Sequence, residues 1–308
     1  MSNIGPLVSI GLPVYNGEKY VGDAIECVLA QTLIDWELIV SDNASSDNTV
    51  AICRSYAEKD GRIRVVRNER NLGVTPNYNR VFELARGRYF KWIAHDDLFD
   101  RTFIQACVDE LERDGDAVLA FPTLVHVDAD GHLLRGQQLQ LTLASQSPAE
   151  RVKRLIDLEI ASTDIFWSQF GVLRRSAVRD TQVMGPYSGS DQVFLLELAL
   201  RGTFKEVGGS TFRRREHPGA STLRGEWTAK ERALFAFADD RRRLVFPYSR
   251  LLQEHLLAIW RAPVGVVGKI RCSASVCRRF AHHWKDFVIE ISNNAANVTL
   301  GRAFERSL

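Results

Sequence analysis

Cysteine is sparse in this 308-residue chain. The five present (Cys27, Cys53, Cys107, Cys272, Cys277) are odd in number and form no C-x-x-C. That spacing excludes a disulfide framework and a structural zinc site, and points to reduced thiols in a cytoplasmic setting. Long apolar runs are missing as well. No uninterrupted stretch reaches the ~18 residues of a membrane span. The first apolar stretch has no basic leader and is interrupted by Pro13, so it does not read as a signal peptide. Neither G-x-G-x-x-G nor G-x-x-x-x-G-K-[ST] occurs, which disfavours a dehydrogenase and a P-loop enzyme. A large net charge is absent too: the formal value is +2, against a general nucleic-acid binder.

What is present is ordinary in bulk and ordered in detail. A hydrophobic fraction of 45% and a charged fraction of 25% are those of a globular protein. The length allows one large domain or two. Leu7–Val14, Trp36–Ser41, Arg62–Arg67 and Tyr89–Ala94 read as strands. Between them, Glu18–Gln31, a stretch starting at Ser45-Ser46-Asp47, and a stretch from Asn71-Leu72-Gly73 to about Ala85 carry apolar residues at helical spacing. This β-α-β-α-β-α-β rhythm predicts an α/β fold with a mostly parallel sheet covered by helices. Three of the strands end in polar residues: Tyr15-Asn16, Asp42-Asn43 and His95-Asp96-Asp97. In parallel sheets those carboxyl ends share one edge, where ligands bind. Two groups of acids there, without a basic cluster, point to a divalent metal carrying a phosphorylated ligand.

Further along, Arg101–Arg113 reads as a helix and Ala117–Phe121 as a strand. Val125–Leu134 reads as a hairpin around Asp128–Gly131, and Gln137–Ser147 and Thr163–Gln169 as loops. Ala149–Ile160 and Gln192–Arg201 are helical patterns flanking a short strand at Gly171–Arg174. From Trp227 onward the pattern is helical and more basic. Arg213–Arg215, Arg241–Arg243 and Arg278-Arg279 all fall in the last third. They read as solvated faces and loops, or as contacts to phosphates or a membrane surface.

Four motifs in order, Val8–Glu18, Val40–Thr49, Asn71-Leu72-Gly73 and His95-Asp96-Asp97, closely resemble a family 2 glycosyltransferase of the GT-A fold. The resemblance covers about residues 7–220. It implies transfer of a sugar from a nucleotide diphosphate donor (UDP-, dTDP- or GDP-sugar) to a carbohydrate or lipid-linked acceptor hydroxyl. Inversion at the anomeric carbon, and work in cell-envelope polysaccharide or glycolipid synthesis, go with it. The segment after the first strand would wrap the nucleotide, which maps onto Pro13, Tyr15, Asn16 and Glu18. Asp42 would read the base or ribose; a turn or cap acid is the alternative. Asn71 and Gly73 would shape a loop beside the nucleotide. The D-x-D motif reads Ala94-His95-Asp96 here, with its first acid missing. Asp96 keeps the place of the metal ligand for Mg²⁺ or Mn²⁺, with Asp97 beside it. Capping the following helix is the other reading of these two acids.

The family's base maps onto Asp191 in Tyr187–Leu196, where Ser190 replaces a frequent Glu. Asp191 could equally complement the helix dipole. Arg213–Ser221 resembles the segment that closes over the diphosphate, which implies His217 as a third metal ligand, a structural histidine being the alternative, and Arg215 neutralising the leaving group. The implied division is a catalytic domain over 1–225 and a helical extension over 226–308. Within the first, 1–122 binds the nucleotide-sugar and 123–225 the acceptor. In the extension, Trp260, Arg261, Phe280, Trp284 and Lys285 form either an interfacial surface or helices packed on the catalytic domain or a second subunit. The chain would then be cytoplasmic or peripheral at the inner face of the membrane. Two other classes stay open: a nucleotidyltransferase, though Leu12–Tyr20 offers only Gly17 and Lys19 to a triphosphate, and a non-catalytic sugar-nucleotide-binding module.

Overall fold

A computed structural model describes residues 5–137, 142–220 and 246–292. Nine strands form one sheet, ordered β3-β2-β1-β4-β8-β6-β9-β5 with β7 paired to β6. β1 (Val8–Val14), β2 (Trp36–Asp42), β3 (Ile63–Arg67) and β4 (Tyr89–Trp92) are mutually parallel. Every residue of β1, β2 and β4 is buried, as strands covered on both faces must be. Pro13 is tolerated in central β1 because pairing with β4 ends at Gly11↔Trp92, so no neighbour on that side needs its missing N–H. α1 (Val21–Leu29), α2 (Thr49–Ala57) and α3 (Val74–Glu83) make the crossovers. The chain moves from β1 out through β2 to β3, then returns to place β4 on the other side of β1. The strand order therefore reverses beside β1, the crevice where such sheets bind ligands.

The second half extends the sheet. β5 (Leu98–Phe99) and α4 (Phe103–Arg113) lead into β6 (Ala117–Val127) and β7 (Leu133–Gln137), a hairpin about Asp128–Gly131. α5 (Pro148–Ala161) precedes a 3₁₀ segment, Thr163–Phe170, that buries Ile165 and Phe170 where the sequence reads as loop. β8 (Val172–Arg174), α6 (Arg175–Arg179) and α7 (Ser190–Arg201) follow. β9 (Thr203–Arg215) then runs parallel to β6 and antiparallel to β5. The sequence does not announce β9, because Gly208-Gly209 and three arginines break its alternation. The register explains how it fits. Pro122 pairs with Val207 and Thr123 with Thr211, so Gly208–Ser210 bulge out where β6 carries its proline. β6 correspondingly continues six residues past Phe121.

Rings from both halves meet in the core. Trp92 packs edge-on to Phe90 at 4.6 Å and to Phe194 of α7 at 5.4 Å. α8 (Pro247–Arg261) packs on α7, and α9 (Val266–His282) on α5 and α8. A further helical run spans 284–292. Ser221 and the basic run at 241–243 lie outside the described residues. Among the described residues no helix is long and apolar enough to cross a membrane.

Candidate active site

The loops after β1 and β2 are stitched to each other. The Asn16 amide donates to Ser45 Oγ at 2.8 Å, and Asn16 Oδ1 accepts the Ser46 amide at 2.9 Å. These bonds hold Asn16 at φ 50°, a left-handed conformation that asparagine tolerates. The Gly17 amide donates to Thr49 Oγ1, and Glu18 Oε2 accepts both the backbone and side-chain N–H of Asn48 at the start of α2. Glu18 is thus engaged in capping. Gly17 is glycine by contact: a Cβ there would lie 2.6 Å from His95 Cδ2, so the loops after β1 and β4 touch. Tyr15 remains 46% exposed at the crevice.

Asp42 ends β2 fully buried. Its carboxylate accepts the Ser45 amide and lies 3.2 Å from Arg67 Nε. Next to it, Asn43 Nδ2 donates to Asn71 Oδ1 and the Gly73 carbonyl, while Asn43 Oδ1 accepts from Asn68 and the Leu72 amide. Asn77 closes the network on Ser41. Gly73 takes φ 89°, which glycine adopts without strain, as the chain turns into α3. Asn71 and Gly73 therefore border the base of the crevice, and Asn43, Asn68 and Asn77 are supports that the strand-end pattern did not single out.

The central pair comes from opposite halves of the sheet. Asp96, after β4, places Oδ2 3.1 Å from Nε2 of His217, just beyond β9. Both side chains are largely sheltered, at 19% and 10% exposed. Their neighbours explain the meeting. Asp97 turns the other way, buried, and accepts the Arg215 amide at 3.0 Å, which fastens the end of β9. Burial, then the charge of Asp96, raises the Asp97 carboxyl above the ordinary range. The three arginines Arg213–Arg215 are strand residues rather than loop residues. The Arg215 guanidinium stacks 4.3 Å over Tyr20 and pairs with Asp23 of α1 at 2.9 Å. Tyr20 also packs on His217 at 4.8 Å. On the far side, Glu216 is bound by His126 at 2.7 Å and Arg135 at 2.9 Å. Burial works against the Glu216 carboxylate, but those partners hold its pKa low. His217 is therefore anchored from both directions. His126 lies in no recognisable motif, and Glu216 lies in the Arg213–Ser221 segment without having been singled out.

Asp191 sits in the first turn of α7, and its Oδ1 accepts the Gln192 amide at 3.1 Å. Burial raises its carboxyl. Tyr78 of α3 feels its charge as well as that of Asp96. Burial, and then the charges of Asp96, Asp97 and Asp191 together, push the Tyr78 hydroxyl up. Three carboxylates thus bear on one phenol that the sequence pattern did not flag. The Asp96 carboxylate and the His217 imidazole, sheltered and adjacent, are donor types that could hold a divalent cation.

The family model described as glycosyl transferase family 2 matches residues 9–181. Over 129 residues the chain is 31% identical to a chondroitin synthase of Escherichia coli, a match covering 42% of this chain and 19% of that protein. Over 113 residues it is 40% identical to the putative teichuronic acid biosynthesis glycosyltransferase TuaG of Bacillus subtilis, covering 37% and 42%. The chain thus spans less than half the length of these curated relatives. In structure it resembles S. aureus TarS 1-349 in complex with UDP-GlcNAc, with a TM-score of 0.64 at 17% identity over 88% of this chain and 72% of that one. The mannosyltransferase PcManGT from Pyrobaculum calidifontis, in complex with GDP-Man and Mn²⁺, gives 0.51 at 14% identity over 97% and 80%. At such identities the likeness shows a shared GT-A fold.

Proposed function

The chain belongs to glycosyl transferase family 2, and from that premise we propose that it transfers a sugar from a nucleotide diphosphate donor to an acceptor hydroxyl. The observation that carries the reading is the 3.1 Å approach of Asp96 to His217 at the strand-order reversal. The nucleotide would lie between the loops after β1 and β2, its base against exposed Tyr15 and its ribose toward Asp42 and the Asn71–Gly73 turn. Asp96 and His217 would hold the cation, and their mixed oxygen and nitrogen donors suit Mn²⁺ better than oxygen-seeking Mg²⁺. Such an ion supplies charge stabilisation to the departing diphosphate.

Asp191 takes the acceptor's proton. As it does, the acceptor oxygen bonds to the anomeric carbon and the bond from that carbon to the phosphate oxygen breaks, with its electron pair leaving on the nucleoside diphosphate. One displacement inverts the centre. A raised carboxyl pKa makes Asp191 a stronger base once ionised. UDP- or GDP-sugars are supported as donors by the ligands of the structural neighbours. A polysaccharide acceptor is supported by the names of the teichuronic acid and chondroitin relatives.

The test is thermal unfolding with UDP, GDP, dTDP and their sugars, with and without Mn²⁺. A ligand at ~100 times its Kd adds about 2.7 kcal/mol. A Mn²⁺-dependent shift for one nucleotide, lost in Asp96→Ala, is the expected result. No shift for any nucleotide overturns the reading.

A further inference from the structure

The helical region after residue 246 presents a face that the catalytic reading does not use. α9 buries Cys272, Val276 and Phe280 at four-residue spacing against α5 and α8. Of the two readings open for Phe280, the packed one holds: it is core, against His255 and Phe287. The opposite side of α9 is exposed, and its first turns carry Val266, Val267 and Ile270, at 64%, 73% and 57%. Trp260, at the end of α8, stands exposed beside them: Lys269 Nζ donates to its carbonyl at 2.8 Å. Three large aliphatics and a tryptophan on one helical corner form a patch of the kind monomers rarely leave open.

Along α9 itself the charge has one sign. From His255 to Lys285 the sequence contains no Asp or Glu and six Lys or Arg. Arg279 turns inward to Glu159, and Arg278 pairs with Asp157. Arg261 lies 4.0 Å from Glu197 and Glu254. Arg271 and Lys285 are exposed and pair with no carboxylate among the described residues. The stripe continues through Ala274, Cys277 and Ala281 to exposed Trp284 and Val288. Apolar side chains with tryptophan at both ends and basic residues between are the composition of a helix lying in a bilayer interface. A second copy would bring the same positive stripe against itself, and a nucleic acid would leave the aliphatic corner without an apolar partner. We infer that the outer face of α9 and the corner at Trp260 dock on an anionic phospholipid surface.

Flotation of the full chain with vesicles tests this without reference to catalysis. The chain should float with phosphatidylcholine vesicles containing phosphatidylglycerol, not with phosphatidylcholine alone, and rising salt should release it. Arg271→Glu and Lys285→Glu should each weaken partitioning by at least about fivefold, the factor for one basic residue at such a surface. Val267→Glu with Ile270→Glu should abolish it. Both sites are exposed, so an unchanged melting temperature shows that the fold survives. Failure to float with the anionic vesicles, or flotation that none of these variants alters, overturns the inference. Self-association that Val267→Glu disperses, without vesicle binding, would give the face to a second copy and equally overturn it.

Discussion

Asp96 and Asp97 are adjacent, yet they face different partners. Asp96 looks into the crevice toward His217, while Asp97 is buried under the end of β9 and spends its oxygen on the Arg215 amide. A motif read only as two acids conceals that division. Asp191 raises a different question, because a helix-start acid need not be a base. Its raised carboxyl gives a direct check. If it takes the acceptor's proton, activity climbs as pH rises through its pKa, and the acid limb of the kcat profile lies above the ordinary carboxylate range. Asp191→Asn should lower kcat by about 10²–10⁴ and remove that limb, while the nucleotide-induced thermal shift persists. Near-normal transfer by the variant would take the role of base from Asp191.

Among the elements, α5, α7 and α9 are joined by a buried ion pair. Arg279 Nε lies 3.1 Å from Glu159 Oε2, and Arg279 Nη2 donates to Gln192 Oε1 at 2.6 Å, one residue from Asp191. Burial pushes the Glu159 carboxyl up to about 7 despite the arginine. Arg279→Gln leaves this acid without its cation and should cost about 3 kcal/mol in urea denaturation at pH 8. A raised carboxyl stabilises the fold at low pH, and that contribution is lost as pH rises from about 4.5 through about 7. Glu159→Gln should flatten this part of the stability profile.

Legibility also differs by element. β1, β2 and β4 are mostly apolar because helices cover both faces, and their polar ends mark the crevice. β9 was hidden because its bulge and arginines answer to β6, Asp97 and Asp23, none of which is near in sequence. His217 as partner of Asp96 was expected only through the family resemblance. His126 and Tyr78, which position or sense that pair, belong to no local pattern, and Glu216 was not singled out within Arg213–Ser221.

At the scale of the whole molecule, a costly polar group sits in the middle of the sheet. Lys91, in β4, is fully buried among Phe99, Phe103 and Phe212, with Nζ 3.8 Å from the Phe103 ring centre and donating to the Phe170 carbonyl. Burial lowers its pKa from 10.5 to about 7. A depressed folded-state pKa means that stability is greatest above the unfolded value and is lost as pH falls through the folded one. The chain should therefore gain about 2 kcal/mol between pH 7 and pH 9 relative to Lys91→Met, read as the difference between their unfolding curves at the two pH values. The sheet that holds this amine also separates Asp96 from His217 by 121 positions of chain. A ribosome adding ~5–20 residues per second needs about 6–24 s to cross that interval. During synthesis, the first four strands can pair while His217 does not yet exist, so a nascent chain passes its first folding stage without the Asp96–His217 pair.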